Sequence, residues 1–148
     1  MTGECLFCRI ARRASEAHVL HEDAQLIAFL VRAPIRPGHS LVIPKGHFPY
    51  FDDLPADLAA SVVALGQKLA TAMKRLYAVP RAAFVFTGGD IAHVHAHVVP
   101  IHCKTDITSR RYIAEEKLTF RDLPHASHQE LAGTAADLVK ALAVHEGA

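Results

Sequence analysis

The stretch Ala92-His93-Val94-His95-Ala96-His97-Val98-Val99-Pro100 sets three imidazoles at every second position. Side chains of a strand alternate between its faces, so a strand over residues 92–99 turns His93, His95 and His97 to one side. Val94, Ala96 and Val98 then face the other side, and neighbouring imidazoles stand roughly 7 Å apart along the backbone. Such a row adds nothing to packing and would cost desolvation if buried without partners. Chemistry or metal binding is therefore the expected role, and imidazole suits both because it titrates near neutrality, ligates metals and acts as base or nucleophile.

Outward from this strand, Thr87-Gly88-Gly89-Asp90 supplies glycines for a tight connection to a strand over residues 82–86. Leu58, Val62, Leu65, Leu69, Met73 and Leu76 recur at steps of three and four, which predicts a helix over residues 55–77 capped by Asp52 or Asp53. A strand over residues 40–43 is expected to stop at Pro44, which cannot donate to a ladder. Earlier still, a short helix over residues 6–13 precedes a hairpin of residues 19–21 and 26–31 around Glu22-Asp23. Ser127-His128-Gln129-Glu130 has the form of a capping box, and Leu131, Ala135, Leu138 and Leu142 continue a helical stripe for core or dimer packing.

With 148 residues, 51% of them hydrophobic and 21% charged, the chain suits one core and one domain, residues 1–148. A formal charge of +1 provides no field to hold a nucleic acid or an anionic membrane, though a small phosphorylated ligand remains compatible with it. No apolar run reaches ~18 residues and the first residues lack the plan of a secretory signal, so a cytoplasmic protein is expected. Three cysteines cannot all pair within the chain, and the spacing Cys5-Leu6-Phe7-Cys8 reads as a zinc half-site, a redox pair or two buried thiols.

The run His93-Val94-His95-Ala96-His97-Val98-Val99-Pro100 resembles the defining motif of the histidine-triad (HIT) superfamily. The likeness extends through Gly38-His39-Ser40-Leu41-Val42-Ile43-Pro44-Lys45, Leu26-Ile27-Ala28-Phe29 and Cys5-Leu6-Phe7-Cys8, so residues 5–100 form the matched core and residues 101–148 an extension. The resemblance implies an α+β HIT-like fold, a five-stranded antiparallel sheet with a long central helix and a C-terminal helix, usually as a homodimer. It also implies cleavage of a phosphoanhydride or phosphoramidate at the α-phosphate of a purine nucleotide, or of a nucleotide conjugate. His95 is then the nucleophile of a covalent nucleotidyl-histidine intermediate, its tautomer held by a strand neighbour's carbonyl. His97 donates to a phosphoryl oxygen or the leaving group, and His39 supports the triad. A histidine at position 97, where the nucleotidyltransferase branch carries glutamine, favours hydrolysis. Leu6, Phe7 and Phe29 are expected to line the base pocket and Gly88 to meet phosphate.

In zinc-containing relatives, the histidine after the Pro-Lys turn and the first triad histidine complete the half-site, which implies Cys5, Cys8, His47 and His93 as ligands. A Cys₂His₂ set is coordinatively closed, so such a zinc is structural. Cys103 is expected to be a plain buried or edge thiol.

The chain departs from the family pattern at two places. Val31-Arg32 replaces the usual Asp-Ile pair, whose acid bonds the ribose hydroxyls, and valine cannot accept that bond. Arg32 either reaches a phosphate or stands solvated. Gly88-Gly89-Asp90 replaces the usual Gly-Gln-Ser/Thr, putting a carboxylate where phosphate belongs while leaving glycine N–H groups as donors. The polar basic stretch of residues 104–111 rims the site or faces solvent. Two other readings stand beside the hydrolase: a nucleotide-sensing or scaffold protein with little turnover, and a metal-dependent hydrolase with His95 and His97 among the ligands.

Overall fold

The computed structural model describes residues 5–107, 117, 119 and 121–144. Five strands, β1 (Val19–Glu22), β2 (Leu26–Leu30), β3 (Ser40–Pro44), β4 (Arg81–Phe86) and β5 (Ala96–Ile101), form one sheet in the order β1-β2-β3-β5-β4. Every neighbouring pair is antiparallel. Among the described residues three α-helices accompany the sheet: α1 (Leu6–Ala11), the long α2 (Ala56–Leu76) and α3 (His128–Ala143). The expected α+β architecture is therefore present.

Strand alternation divides the core in two. Leu26, Ala28, Leu30, Val42, Ala96 and Val98 pack with the buried side chains of α2 and α3. Ile27, Phe29, Leu41 and Ile43 point the other way, onto Phe7, Ile10 and Ala11 of α1. With both faces covered, β2 and β3 are buried along their whole length. On α3, Leu131 and Leu138 are buried in the α2 cluster, so its stripe is core packing.

Several local expectations need correction. The histidine run is mostly not strand: β5 starts at Ala96, where pairing with Val42 of β3 and Phe86 of β4 begins. Ahead of it the backbone is held by His93 N–H on the Ile91 carbonyl (2.8 Å) and Val94 N–H on the Phe48 carbonyl (2.7 Å). Pro44 is the last residue of β3, so the strand does stop there. Lys45 N–H donates to the Gln25 carbonyl, so by alternation Pro44 presents its missing donor and its carbonyl toward the β5 side, where pairing has already ended. Pro55 occupies the N-cap of α2 without a side-chain cap, and Asp53 instead accepts from Tyr50 N–H in the preceding 3₁₀ turn. Leu76, expected in the buried stripe, is 37% exposed. Ser127 and Glu130 do form the capping box of α3. Residues 108–111 of the basic stretch lie outside the described residues.

Gly66 on α2 faces the ring of Phe84 on β4, and a Cβ built there falls 2.2 Å from a ring carbon. The helix thus lies closer to the sheet than any side chain permits. Gly66→Ala is expected to lose ~1–3 kcal/mol from overpacking, less the ~1 kcal/mol gained in helix propensity, for a net fall of about 1 kcal/mol in denaturant unfolding.

Candidate functional site

The β3–β5 seam carries the first hydrogen-bonded chain. His39 is buried, and its Nδ1 faces Ile35 N–H at 3.2 Å, so this nitrogen must accept and Nε2 must carry the proton. His39 Nε2–H then donates to His97 Nδ1 at 2.9 Å. That leaves His97 protonated on Nε2, which points at Thr87 Oγ1, 3.3 Å away. Burial, and less strongly His97 beside it, lower His39 to about 4. Burial and His95 also lower His97, while the Asp90 carboxylate counters in part. Both rings are neutral at pH 7.

His95 gains its orientation from its own segment, not from a neighbouring strand. Its Nδ1 lies 2.8 Å from the His93 carbonyl and must donate, so Nε2 keeps its lone pair. The irregular backbone ahead of Ala96 turns that carbonyl back toward the ring. Phe7 sits edge-on to His95 at 5.1 Å between centroids, and His97 lies at the same distance on another side. His95 is 7% exposed and stands among rings with the lone pair of one nitrogen unengaged.

His93 belongs to a different group. Its Nε2–H donates to the Pro44 carbonyl at 2.9 Å, leaving Nδ1 to face the Sγ atoms of Cys5 (3.6 Å) and Cys8 (3.5 Å). His47 Nδ1 lies 3.3 Å from Cys8 Sγ, and all four ligand atoms fall within 4.8 Å of one another. Tetrahedral zinc, with bonds of 2.0–2.3 Å, separates its ligands by roughly 3.3–3.8 Å. The donor set therefore fits a zinc ion, and the Pro44 carbonyl supplies the outer partner that metal-bound histidines need. Among the described residues, His95 and His97 fall in no such group of ligand atoms.

Two cavities flank this arrangement. A smaller one, about 230 Å³, is lined by His39, Thr87, Gly89, Asp90, His95 and His97 together with apolar side chains. Gly88 is not in that lining; with φ of 60° it makes the left-handed turn, while Gly89 borders the space. The larger cavity, about 550 Å³, includes Leu6, Phe7 and Phe29 as expected, with Val31 and Arg32 beside them. Its far wall, residues 125–128, had no signal in the sequence beyond the helix cap, since only the return of α3 to β1 and β2 brings it there. Thr87 was legible as a turn residue but not as the partner of His97. Cys103 is exposed beyond β5, with its Sγ 3.2 Å from Asp106 Oδ1 and 3.4 Å from Arg36 Nη2, so of the two expected placements, buried or edge, it is not the buried one.

Residues 12–103 match the model of the HIT domain. An uncharacterised HIT-like protein of Methanocaldococcus jannaschii is 33% identical over 100 residues, 65% of this chain and 78% of its own. The adenosine 5'-monophosphoramidase of Saccharomyces cerevisiae is 32% identical, over 68% of this chain and 64% of its own. An adenylylsulfatase of Arabidopsis thaliana is 28% identical, over 68% and 53%. Among solved structures, a zinc-bound histidine triad family protein of Mycobacterium smegmatis superposes with a TM-score of 0.75 at 28% identity, covering 97% of this chain and 96% of that one.

His39 ties stability to pH. Its value in the fold lies below that of the free side chain, so stability is complete above about pH 6.5 and falls as pH drops toward about 4, where the unfolded chain takes a proton the fold refuses. At pH 4.5 the loss from this residue is about 2.5 kcal/mol. His39→Gln should lower stability at pH 7 yet lose less than the parent between pH 7 and 4.5, as read by urea unfolding at both values.

Proposed function

Because the chain belongs to the HIT domain family, we propose that it is a nucleotide hydrolase whose nucleophile is His95 Nε2. The observation that carries this reading is the pair of opposed tautomers: His95 presents a lone pair and His97 an N–H at the same small cavity. An adenylyl fragment suits the larger cavity, where Leu6, Phe7 and Phe29 offer apolar surface to a base. The yeast and plant relatives, a monophosphoramidase and an adenylylsulfatase, support an adenylyl conjugate as substrate.

In the first displacement the His95 lone pair forms a bond to the α-phosphorus as the bond to the leaving oxygen or nitrogen breaks. The leaving group departs with that bonding pair, through the small cavity, and a leaving nitrogen takes up a proton that solvent supplies. His97 Nε2–H hydrogen-bonds a phosphoryl oxygen or the leaving atom, where charge grows. The His95 adduct is cationic, with Nδ1–H still on the His93 carbonyl. Water then attacks phosphorus, the P–N pair returns to Nε2, and the proton released goes to solvent. His39 acts through His97 as a positioning residue, fixing which nitrogen bears the proton.

Cys5, Cys8, His47 and His93 would hold a zinc ion, which supplies a cross-link rather than an activated water. Cys8 lies within α1 and Cys5 at its N-cap, so that link pins Phe7 against His95. Thiolate ligands suit a reducing compartment such as the cytoplasm. No helix among the described residues is long and apolar enough to cross a membrane. A homodimer is supported by β4, an edge strand among the described residues, where exposed Phe51 stacks near Phe86.

Adenosine 5'-phosphoramidate and adenosine 5'-phosphosulfate should both release AMP, with His95→Ala slower by ~10³-fold or more and His97→Ala by ~10²-fold. Background release from parent and His95→Ala alike would leave a nucleotide-binding protein without turnover. Metal analysis should find one zinc per chain, lost in Cys5→Ser along with about 10 °C of melting temperature. A metal-free parent of unchanged stability would refute the structural zinc.

A further inference from the structure

The larger cavity has a polar end that the chemistry at His95 does not use. Beyond its apolar floor stand His18, Arg32, His125 and His128, with Glu16 the one carboxylate of the lining among the described residues. Ser127 is there too, but its hydroxyl is engaged with Glu130 in the helix cap. Among the described residues the Arg32 guanidinium meets no hydrogen-bond or ion-pair partner. His18 Nε2 and His128 Nδ1 lie 3.3 Å apart, so one donates to the other, which leaves His18 Nδ1 and His128 Nε2 free for a ligand.

This end is built rather than loose. Ala126 N–H donates to the Arg32 carbonyl at 2.8 Å, and the capped first turn of α3 fixes residues 127 and 128 beside it. Arg32 follows directly on Val31, the side chain that continues the apolar floor from Phe29. A sugar diol is bound by an acceptor such as a carboxylate, whereas a sugar phosphate calls for a guanidinium and N–H donors. One permanent cation and three imidazoles against one carboxylate make a rim of the second kind.

We propose that the polar end of the larger cavity takes a second phosphate, carried on the sugar of the nucleotide whose 5'-phosphate meets His95. Arg32 is its principal ligand, and the His18–His128 pair lies alongside. The substrate class is then a 2'- or 3'-phosphorylated nucleotide conjugated at its 5'-phosphate. This inference rests on the nucleotide reading of the site.

Calorimetric titration of the full chain with 5'-AMP, adenosine 3',5'-bisphosphate and adenosine 2',5'-bisphosphate separates the two. One bisphosphate should bind at least tenfold tighter than AMP, with the advantage shrinking as salt rises and falling toward unity in Arg32→Gln. AMP bound as tightly as both bisphosphates would overturn this inference and leave the nucleotide reading standing. An advantage untouched by Arg32→Gln would overturn the assignment of Arg32. Failure of all three to bind would overturn the nucleotide reading itself.

Discussion

The hydrogen bond from His93 Nε2–H to the Pro44 carbonyl, 2.9 Å long and fully buried, joins the parts of this molecule that chemistry requires. Proline ends the ladder on its β5 side and leaves a carbonyl without a backbone partner. His93 satisfies that carbonyl and thereby turns Nδ1 toward Cys5 and Cys8. The turn that seats His93 also directs its own carbonyl at His95 Nδ1. One buried contact thus fixes the face shown to the thiols and, two residues later, the nitrogen available for attack.

Much of this was legible because residue types carry it. The alternation of imidazole with valine and alanine identified His93, His95 and His97 as a unit, the stripe of α2 was read with near-correct limits, and the capping box marked where α3 begins. What failed depended on neighbours distant in sequence. Whether residues 92–95 are strand is decided by where β3 and β4 stop pairing, and nothing in residues 92–95 records that. The far wall of the larger cavity comes from residues 125–128, about 95 residues after Phe29, through the packing of α3 on β1, β2 and α2. Pro55 in the cap position of α2 was missed because the aspartates before it favour a cap by type, yet they serve the preceding turn.

The two cavities meet the triad unequally. Phe7 touches both His93 and His95 by edge contacts at 5.8 and 5.1 Å, and it also lines the larger space. A residue of α1 therefore connects the cysteine-histidine cluster, His95 and the apolar floor. Loosening α1 alters all three together, since Cys5 at its N-cap and Cys8 within it stand beside His47 and His93.

The chain of hydrogen bonds from Ile35 N–H through His39 to His97 runs in one direction, each group donating toward the small cavity. Its dipoles add, so their positive end faces the cavity, where no lysine or arginine stands among the described residues and the Asp90 carboxylate is the one formal charge of that lining. An array of neutral dipoles draws few mobile counterions and is weakly screened, unlike the guanidinium at the far end of the larger cavity. The two ends of the site therefore differ in kind: fixed dipoles beside a carboxylate at one, an ordinary cation open to screening at the other.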